Sequence, residues 1–169
     1  MGVESARGRG LGRVVKFHTP QIVFGPGALD EVANAVAALG ISRPLLVSDH
    51  CLAQTPWLDR VVSDLRRRGL SPEVFLGVTP NPRATEVEAG RAAYGEHHAD
   101  GLVAVGGGSV IDAAKGIAIL ASNSGNILEY TGIDKASRSL PPLVAVPSTA
   151  GSGADVSQFC ILNDTASRT

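Results

Sequence analysis

Short apolar runs alternate along the chain with longer amphipathic stretches. The runs predict strands over Gln21–Phe24, Pro44–Ser48, Glu73–Leu76, Leu102–Val105, Leu143–Val146 and Val156–Leu162. The stretches between them predict helices over Ala28–Leu39, Trp57–Arg68, Thr85–His98 and Val110–Ala121. Trp57, Val61 and Leu65 are expected in the core. Strands that alternate with helices indicate right-handed crossovers, and therefore an α/β fold with a mostly parallel sheet.

Composition and charge set broad limits on the partners. The chain has 169 residues with 44% hydrophobic and 18% charged residues, which is typical of a globular domain. Its formal net charge of −1 gives no reason to expect nucleic acid or an acidic membrane as a partner. The basic run Arg66–Arg68 is expected to complement the dipole at a helix C-terminus.

The two cysteines and the N-terminal residues bear on location. Cys51 and Cys160 are far apart and form no metal-binding pattern, so we expect free thiols in a reducing compartment. Residues 1–13 contain no apolar segment of the secretory type, and no apolar run is long enough to cross a bilayer. These features favour the cytoplasm by default, with no membrane partner.

Small and polar residues follow four of the predicted strands. They are Asp49, Pro80–Pro82, Gly106–Ser109 and Pro147–Gly153. In parallel α/β sheets, ligands bind beyond the carboxyl ends of the strands. These four strand ends therefore predict one ligand site.

The segment Gly101–Gly116 has the strongest chemical signal, because a strand runs through three glycines directly into a helix. Glycines let a phosphate approach the backbone, and the helix N-terminus offers free N–H groups. Ser109 and Asp112 have the spacing of a capping box, so both are also explained by helix initiation alone. The segment departs from the GxGxxG fingerprint, because Ile111 stands in place of the third glycine.

The other strand ends each admit two interpretations. Asp49 suits the hydroxyls of a ribose and would repel a 2′-phosphate, but a helix-capping role explains it equally well. The hydroxyls of Pro147–Asp155 suit a diphosphate or a ribose, although a plain Ser/Gly loop has the same composition. No histidine is expected to bind a metal, since His97 and His98 are adjacent on a predicted helix.

Taken in order, these segments resemble the iron-containing (group III) alcohol dehydrogenase family. The matching pieces are Thr19–Leu29, Val47–Asp49, Pro80–Pro82, Gly106–Lys115 (GGGSVIDAAK) and Pro147–Gly153 (PSTAGSG). The departures are mild: Val110 replaces a usual Pro, Ser148 and Ser152 replace Thr, and Asp155 replaces Glu.

The resemblance implies a Rossmann-like, dinucleotide-binding domain over residues 17–169, preceded by a flexible tail over residues 1–16. It implies NAD as the cofactor, with Asp49 at the adenosine ribose and Asn81 in the cleft. Gly107, Gly108 and Ser109 would bind the pyrophosphate, with Asp112 close by. The phosphate and nicotinamide side would be lined by Ser148, Thr149, Ser152, Ser157 and Phe159.

The resemblance also implies chemistry that this sequence does not carry. Members of the family hold a divalent metal, usually iron, through residues of a helical C-terminal domain, and we expect that domain to be absent here. The implied parent function is NAD-linked, metal-dependent alcohol oxidation or aldehyde reduction on a small substrate. The isolated chain is expected to be inactive, with the apolar segment Phe159–Leu162 partly exposed.

Two alternatives stay open from sequence. One is a glycerol dehydrogenase-like or dehydroquinate synthase-like relative, which shares the glycine segment and commonly uses zinc. The other is a non-catalytic nucleotide-binding or dimerisation module. A homodimer is one assembly that the sequence leaves open.

Overall fold

A four-stranded, fully parallel sheet organises the molecule. The computed structural model describes residues 20–164. The strands are β1 (Pro44–Val47), β2 (Glu73–Phe75), β3 (Gly101–Gly106) and β4 (Leu143–Pro147), in the spatial order β2-β1-β3-β4. The order reverses between β1 and β3, which is where parallel α/β sheets form their ligand crevice.

Within residues 20–164, five α-helices and two short 3₁₀ segments surround the sheet. The helices are α1 (Val32–Ala38), α2 (His50–Ala53), α3 (Pro56–Arg67), α4 (Ala84–Glu96) and α5 (Gly108–Ser122), and the 3₁₀ segments are Ala28–Glu31 and Ile127–Tyr130. These assignments confirm the α/β class and the four central strands to within a residue or two at each end. No helix of residues 20–164 has the length and apolar character needed to cross a bilayer.

Two apolar clusters lie on opposite faces of the sheet. Successive strand residues point to opposite faces, so Leu45 and Val47 join the cluster beneath α4 and α5. Leu46 joins the cluster beneath α1 and α3. Because both faces are covered, β1 and β3 are buried along their whole length, as continuous apolar runs predict for parallel strands.

Helix α3 shows how the amphipathic pattern sets the packing. Leu58, Val61, Val62 and Leu65 recur at helical spacing and are buried against the sheet. Trp57 precedes this stripe and is 50% exposed, so its predicted core position is wrong. At the other end, Arg66 and Arg67 occupy the last turn, where positive charge complements the helix dipole.

Two predicted strands are not strands. Gln21–Phe24 has no regular secondary structure, and Phe24 is 98% exposed. Val156–Leu162 follows turns and loops over helix α5. Both segments have strand-like composition, but a strand also needs a hydrogen-bonded neighbour. The predicted tail over residues 1–16 lies outside the described residues.

The strand register brings the predicted ligand-binding segments to one edge. Val47 pairs with Ala104, and Gly106 pairs with Pro147. The chain therefore leaves β1, β3 and β4 at neighbouring positions on the carboxyl edge of the sheet.

Candidate active site

The centre of the candidate site is the start of helix α5. Gly107 is the N-cap residue and the helix begins at Gly108, so the strand passes into the helix within two residues. No side chain caps this end of α5 among the described residues. Its first N–H groups are therefore available to an anion, which the positive end of the helix dipole also favours.

The loop after β4 lies directly over these glycines. A Cβ atom at Gly108 would lie 2.9 Å from both Cβ and Oγ of Ser152, and one at Gly107 would lie 3.2 Å from Oγ1 of Thr149. The backbone of Ser148 anchors this loop, because its N–H donates to the carbonyl of Gly106 at 2.9 Å. Two hydroxyls thus face the glycines at a separation that leaves little room for a side chain.

The loop after β2 reaches the same place. Asn81 has a φ of 58°, and its N–H donates to Oγ of Ser109 at 3.3 Å. Glu86 fixes this loop from α4, because its carboxylate accepts hydrogen bonds from Oγ1 of Thr79 at 2.7 Å and from the N–H of Arg83 at 3.4 Å. Asn81 is therefore held beside the first turn of α5.

At the end of β1, one polar side chain is structural and the next is partly available. Ser48 is fully buried, and its hydroxyl donates to the carbonyl of Val105 at 2.7 Å, which ties β1 to β3 at the crevice. Asp49 follows it and caps α2, since its Oδ1 accepts from the N–H of Leu52 at 2.8 Å. Its Oδ2 makes no hydrogen bond to another described residue, so one carboxylate oxygen of Asp49 can still accept a ligand hydroxyl.

Asp112 and Lys115 lie one to two turns further along α5. Burial raises the pKa of Asp112 above its ordinary value of 3.8, while a backbone hydrogen bond from Ile161 and the charge of Lys115 oppose the rise. Burial likewise lowers the pKa of Lys115, against the attraction of Asp112. The pKa of the nearby Cys160 thiol is raised by burial first and by Asp112 second.

The chain matches known proteins over nearly its whole length. The family described as iron-containing alcohol dehydrogenase matches residues 19–169. Among similar proteins, choline dehydrogenase of Bacillus subtilis is 38% identical over 156 residues, covering 88% of this chain and 39% of that protein. The 1,3-propanediol dehydrogenase of Citrobacter freundii is 37% identical over 159 residues, covering 92% of this chain and 41% of that protein.

This chain belongs to the iron-containing alcohol dehydrogenase family.

Solved structures agree with this assignment. A 1,3-propanediol oxidoreductase superposes with a TM-score of 0.88 at 37% identity, covering 93% of this chain and 41% of that one. The sulfoacetaldehyde reductase of Bifidobacterium kashiwanohense, solved in complex with NAD⁺, superposes with a TM-score of 0.78 at 28% identity, covering 92% of this chain and 41% of that one. These neighbours confirm the Rossmann-like fold. The chain spans about two fifths of the length of these relatives.

Within this family's fold, the predicted site residues fall into three places. Six of them surround the first turn of α5: Asn81, Gly107, Gly108, Ser109, Thr149 and Ser152. Ser148 follows β4 and Asp49 follows β1, the two strands that flank β3, at the same edge of the sheet. The remaining three lie along the side of α5: Asp112 in the helix, and Ser157 and Phe159 in the loop over it.

Two details of the α5 region differ from the sequence-based interpretation. The capping-box interpretation of Ser109 and Asp112 is wrong, because Gly107 is the N-cap and Asp112 interacts with Ile161 and Lys115 instead. The expected exposure of the later apolar segment is confirmed, since Phe159 is 58% and Ile161 77% exposed.

The sequence-based reasoning missed three supporting residues: Ser48, Glu86 and Lys115. Ser48 had a recognisable signal, a hydroxyl at the end of a fully apolar strand next to the crevice. Lys115 had a weaker one, since it lies seven positions after Gly108 and so on the same helical face. Glu86 had none beyond the first-turn position of an acid.

The described residues offer no metal-binding cluster. Within residues 20–164, no three His, Cys, Asp or Glu side chains converge closely enough to hold a metal ion. The Nε2–H group of His97 donates to the carbonyl oxygen of Ser71 at 2.8 Å.

Proposed function

We propose that this chain is the NAD-binding part of a metal-dependent alcohol dehydrogenase that interconverts a small alcohol and its aldehyde. The observation that carries the proposal is the start of α5. The helix begins at Gly108, directly after the N-cap residue Gly107, and its first N–H groups have no side-chain cap. The hydroxyls of Thr149 and Ser152 face the same glycines. This arrangement suits a diphosphate, which needs several N–H and O–H donors and close approach to the backbone.

Each predicted residue then has a physical role toward the dinucleotide. Gly107, Gly108 and Ser109 would donate to the pyrophosphate. Oδ2 of Asp49 would accept from the adenosine ribose, and Asn81 would line the cleft between them. The remaining donors and lining residues would flank the phosphate and nicotinamide side: Asp112, Ser148, Thr149, Ser152, Ser157 and Phe159.

Asp49 makes the proposal specific for NAD. A carboxylate can accept both hydroxyls of a ribose, but it repels the 2′-phosphate of NADP. The bound nicotinamide would supply the hydride chemistry, accepting hydride from an alcohol or returning it to an aldehyde. What this chain supplies is the binding and orientation of that cofactor.

The reducing cytoplasm is the compartment we propose. Cys51 and Cys160 are both free thiols, and Cys51 is exposed. Exposed free thiols persist in a reducing environment.

Calorimetric titration of the purified 169-residue chain with NADH and NADPH tests the proposal. We expect saturable NADH binding and weaker NADPH binding. Asp49→Ala should weaken NADH binding about tenfold or more and reduce the preference over NADPH, because a hydrogen bond to a charged group contributes ~1.5–3 kcal/mol. The exposed Asp59→Ala is the matched control and should bind NADH like the wild type.

Gly108→Ala tests the diphosphate site separately. The added Cβ would lie 2.9 Å from Ser152 and would occupy the space between the helix start and the β4 loop. We expect NADH affinity to fall by about tenfold or more, comparable with the ~1–3 kcal/mol cost of overpacking. A chain that unfolds cooperatively but binds no NADH would contradict the proposed function.

A further inference from the structure

The side chain of Lys115 has no role in the proposed cofactor binding, yet it makes three hydrogen bonds. Its Nζ donates to three backbone carbonyls, those of Ala154 at 2.5 Å, Ser157 at 2.6 Å and Phe159 at 2.9 Å. A lysine ammonium has three donors, so all of them are taken by one stretch of main chain. The side chain is only 15% exposed, unlike a lysine that extends its amine into water.

The stretch that Lys115 holds, residues 150–161, is here called the flanking segment. Its own hydrogen bonds are local: the N–H groups of Val156 and Ser157 donate to the carbonyl of Gly153, and the N–H of Phe159 donates to Oγ of Ser157. Three hydrogen bonds reach this segment from the side chain of Lys115, which lies outside it. Lys115 therefore joins this loop to α5 by donating hydrogen bonds to its carbonyls. In a β-strand, a neighbouring strand would supply those donors.

The flanking segment follows one face of α5. Gly108, Asp112 and Lys115 lie at positions i, i+4 and i+7, which share a helical face. Ser152 contacts the position of Gly108, Ile161 hydrogen-bonds with Asp112, and the carbonyls between them converge on Lys115. The same loop thus begins over the glycines and continues along the helix through Ser157 and Phe159.

The geometry assigns Lys115 as a positioning residue that fixes the flanking segment along α5 and thereby places the nicotinamide end of the cofactor cleft. This inference rests on the proposed function. It differs from that function in naming a residue that shapes the cleft without touching the phosphates. The buried ammonium supports it, because a buried charge is retained only where it is paired or hydrogen-bonded.

The test compares two ligands on the wild type and three variants. NADH contains the nicotinamide and ADP does not, so a residue that acts at the nicotinamide end should affect only NADH. We expect Lys115→Met to weaken NADH about five- to tenfold, a loss comparable with one or two hydrogen bonds, while ADP affinity stays within about twofold. Lys115→Arg keeps the charge and N–H donors and should recover most of the loss. Lys135→Met removes the same charge from an exposed loop and should change neither affinity.

Hydrogen exchange measured by mass spectrometry provides a readout that does not need a bound cofactor. In Lys115→Met, amides 156–159 should exchange about tenfold faster or more, because loss of the hydrogen bonds lets the segment open locally. Peptides covering β1 and β3 should keep wild-type exchange. If Lys115→Met is unfolded by circular dichroism, Lys115→Gln, which retains amide donors, replaces it under the same criteria.

The outcomes separate this inference from the proposed function. A wild-type chain that binds neither NADH nor ADP contradicts the proposed function. Faster exchange of amides 156–159 in Lys115→Met would then still support the role of Lys115 in fixing the flanking segment. Unchanged exchange and unchanged NADH affinity in Lys115→Met overturn the inference. Equal weakening of NADH and ADP also overturns it, since Lys115 would then act on the whole cleft.

Discussion

Oδ1 of Asp112 lies 3.9 Å from Nζ of Lys115 on the same helix, but the two groups do not hydrogen-bond. The ammonium donates instead to the carbonyls of the flanking segment, and Oδ1 is buried without a hydrogen-bond partner among the described residues. Such an oxygen is costly when charged. The two charges therefore attract each other without a hydrogen bond, and Oδ1 of Asp112 is left without a hydrogen-bond donor among the described residues.

This arrangement predicts an unusual pH dependence for the stability contributed by Asp112. Burial raises the pKa of Asp112 in the folded state above 3.8, so the folded state binds a proton more tightly than the unfolded state. The stability that this tighter proton binding contributes is fully present below pH 3.8 and is lost as the pH rises through the folded-state pKa of Asp112. Between those limits the stability of the wild type should fall relative to Asp112→Asn, which does not titrate.

Urea unfolding of both chains at a series of pH values measures this difference. The groups that titrate identically in both chains cancel when the two free energies of unfolding are subtracted. Lys115 and Cys160 are present in both chains, so the two chains differ only in the titrating carboxyl group at position 112. If the free energy of unfolding of the wild type rose with pH relative to that of Asp112→Asn, the raised pKa of Asp112 would be contradicted.

Two glycines in helix α4 should respond in opposite directions to the same substitution. A Cβ at Gly90 would lie 2.2 Å from Cδ1 of Ile117, a side chain that is fully buried. Gly90→Ala should therefore reduce the free energy of unfolding by about 1–3 kcal/mol through overpacking. Gly95 has no atom within 4 Å of its Cβ position, so Gly95→Ala should stabilise the helix by ~0.5–1 kcal/mol.

Denaturant midpoints at constant m-value provide the measurement for this matched pair. The comparison is controlled internally, because both substitutions add one methyl group to the same helix. Equal stabilisation by both would show that helix propensity, not the contact between α4 and α5, sets the effect.

The two cysteines should differ in their rates of alkylation. Cys51 is exposed, whereas burial and the charge of Asp112 raise the pKa of the Cys160 thiol. Because the thiolate is the reactive form, iodoacetamide at pH 8 should modify Cys51 about tenfold faster or more than Cys160. Peptide mass spectrometry follows both sites in one sample. Denaturation in guanidinium should bring the rates together, and equal rates in the native protein would refute the assignment.

The sequence predicted the elements whose packing is local and repetitive. Leu58, Val61 and Leu65 recur at helical spacing, and the apolar run at Leu102–Val105 has the length of a buried strand, so both patterns were sufficient. Glycines between a strand and a helix also indicated where a ligand would approach. In each case the information lies within one element.

The errors concern residues whose environment depends on distant parts of the chain. Val156–Leu162 has strand-like composition, but the carbonyls of Ser157 and Phe159 accept hydrogen bonds from Lys115, which lies about forty positions earlier. Trp57 precedes the buried stripe of α3, and a helical pattern alone does not show which edge residue reaches the core. The composition of one segment does not indicate which distant residues that segment will contact.

The reversal of strand order at β1 and β3 has a consequence for folding kinetics. Beside this pair, the N–H of Arg43 donates to the carboxylate of Asp100, and these residues are 57 positions apart. Contacts of such high sequence separation require closure of a long loop, so they tend to form late and to slow folding. The crevice between β1 and β3 consequently exists only after this long loop has closed. A ligand bound across it would oppose global unfolding, so its affinity should appear as a concentration-dependent rise in the melting temperature of the whole domain.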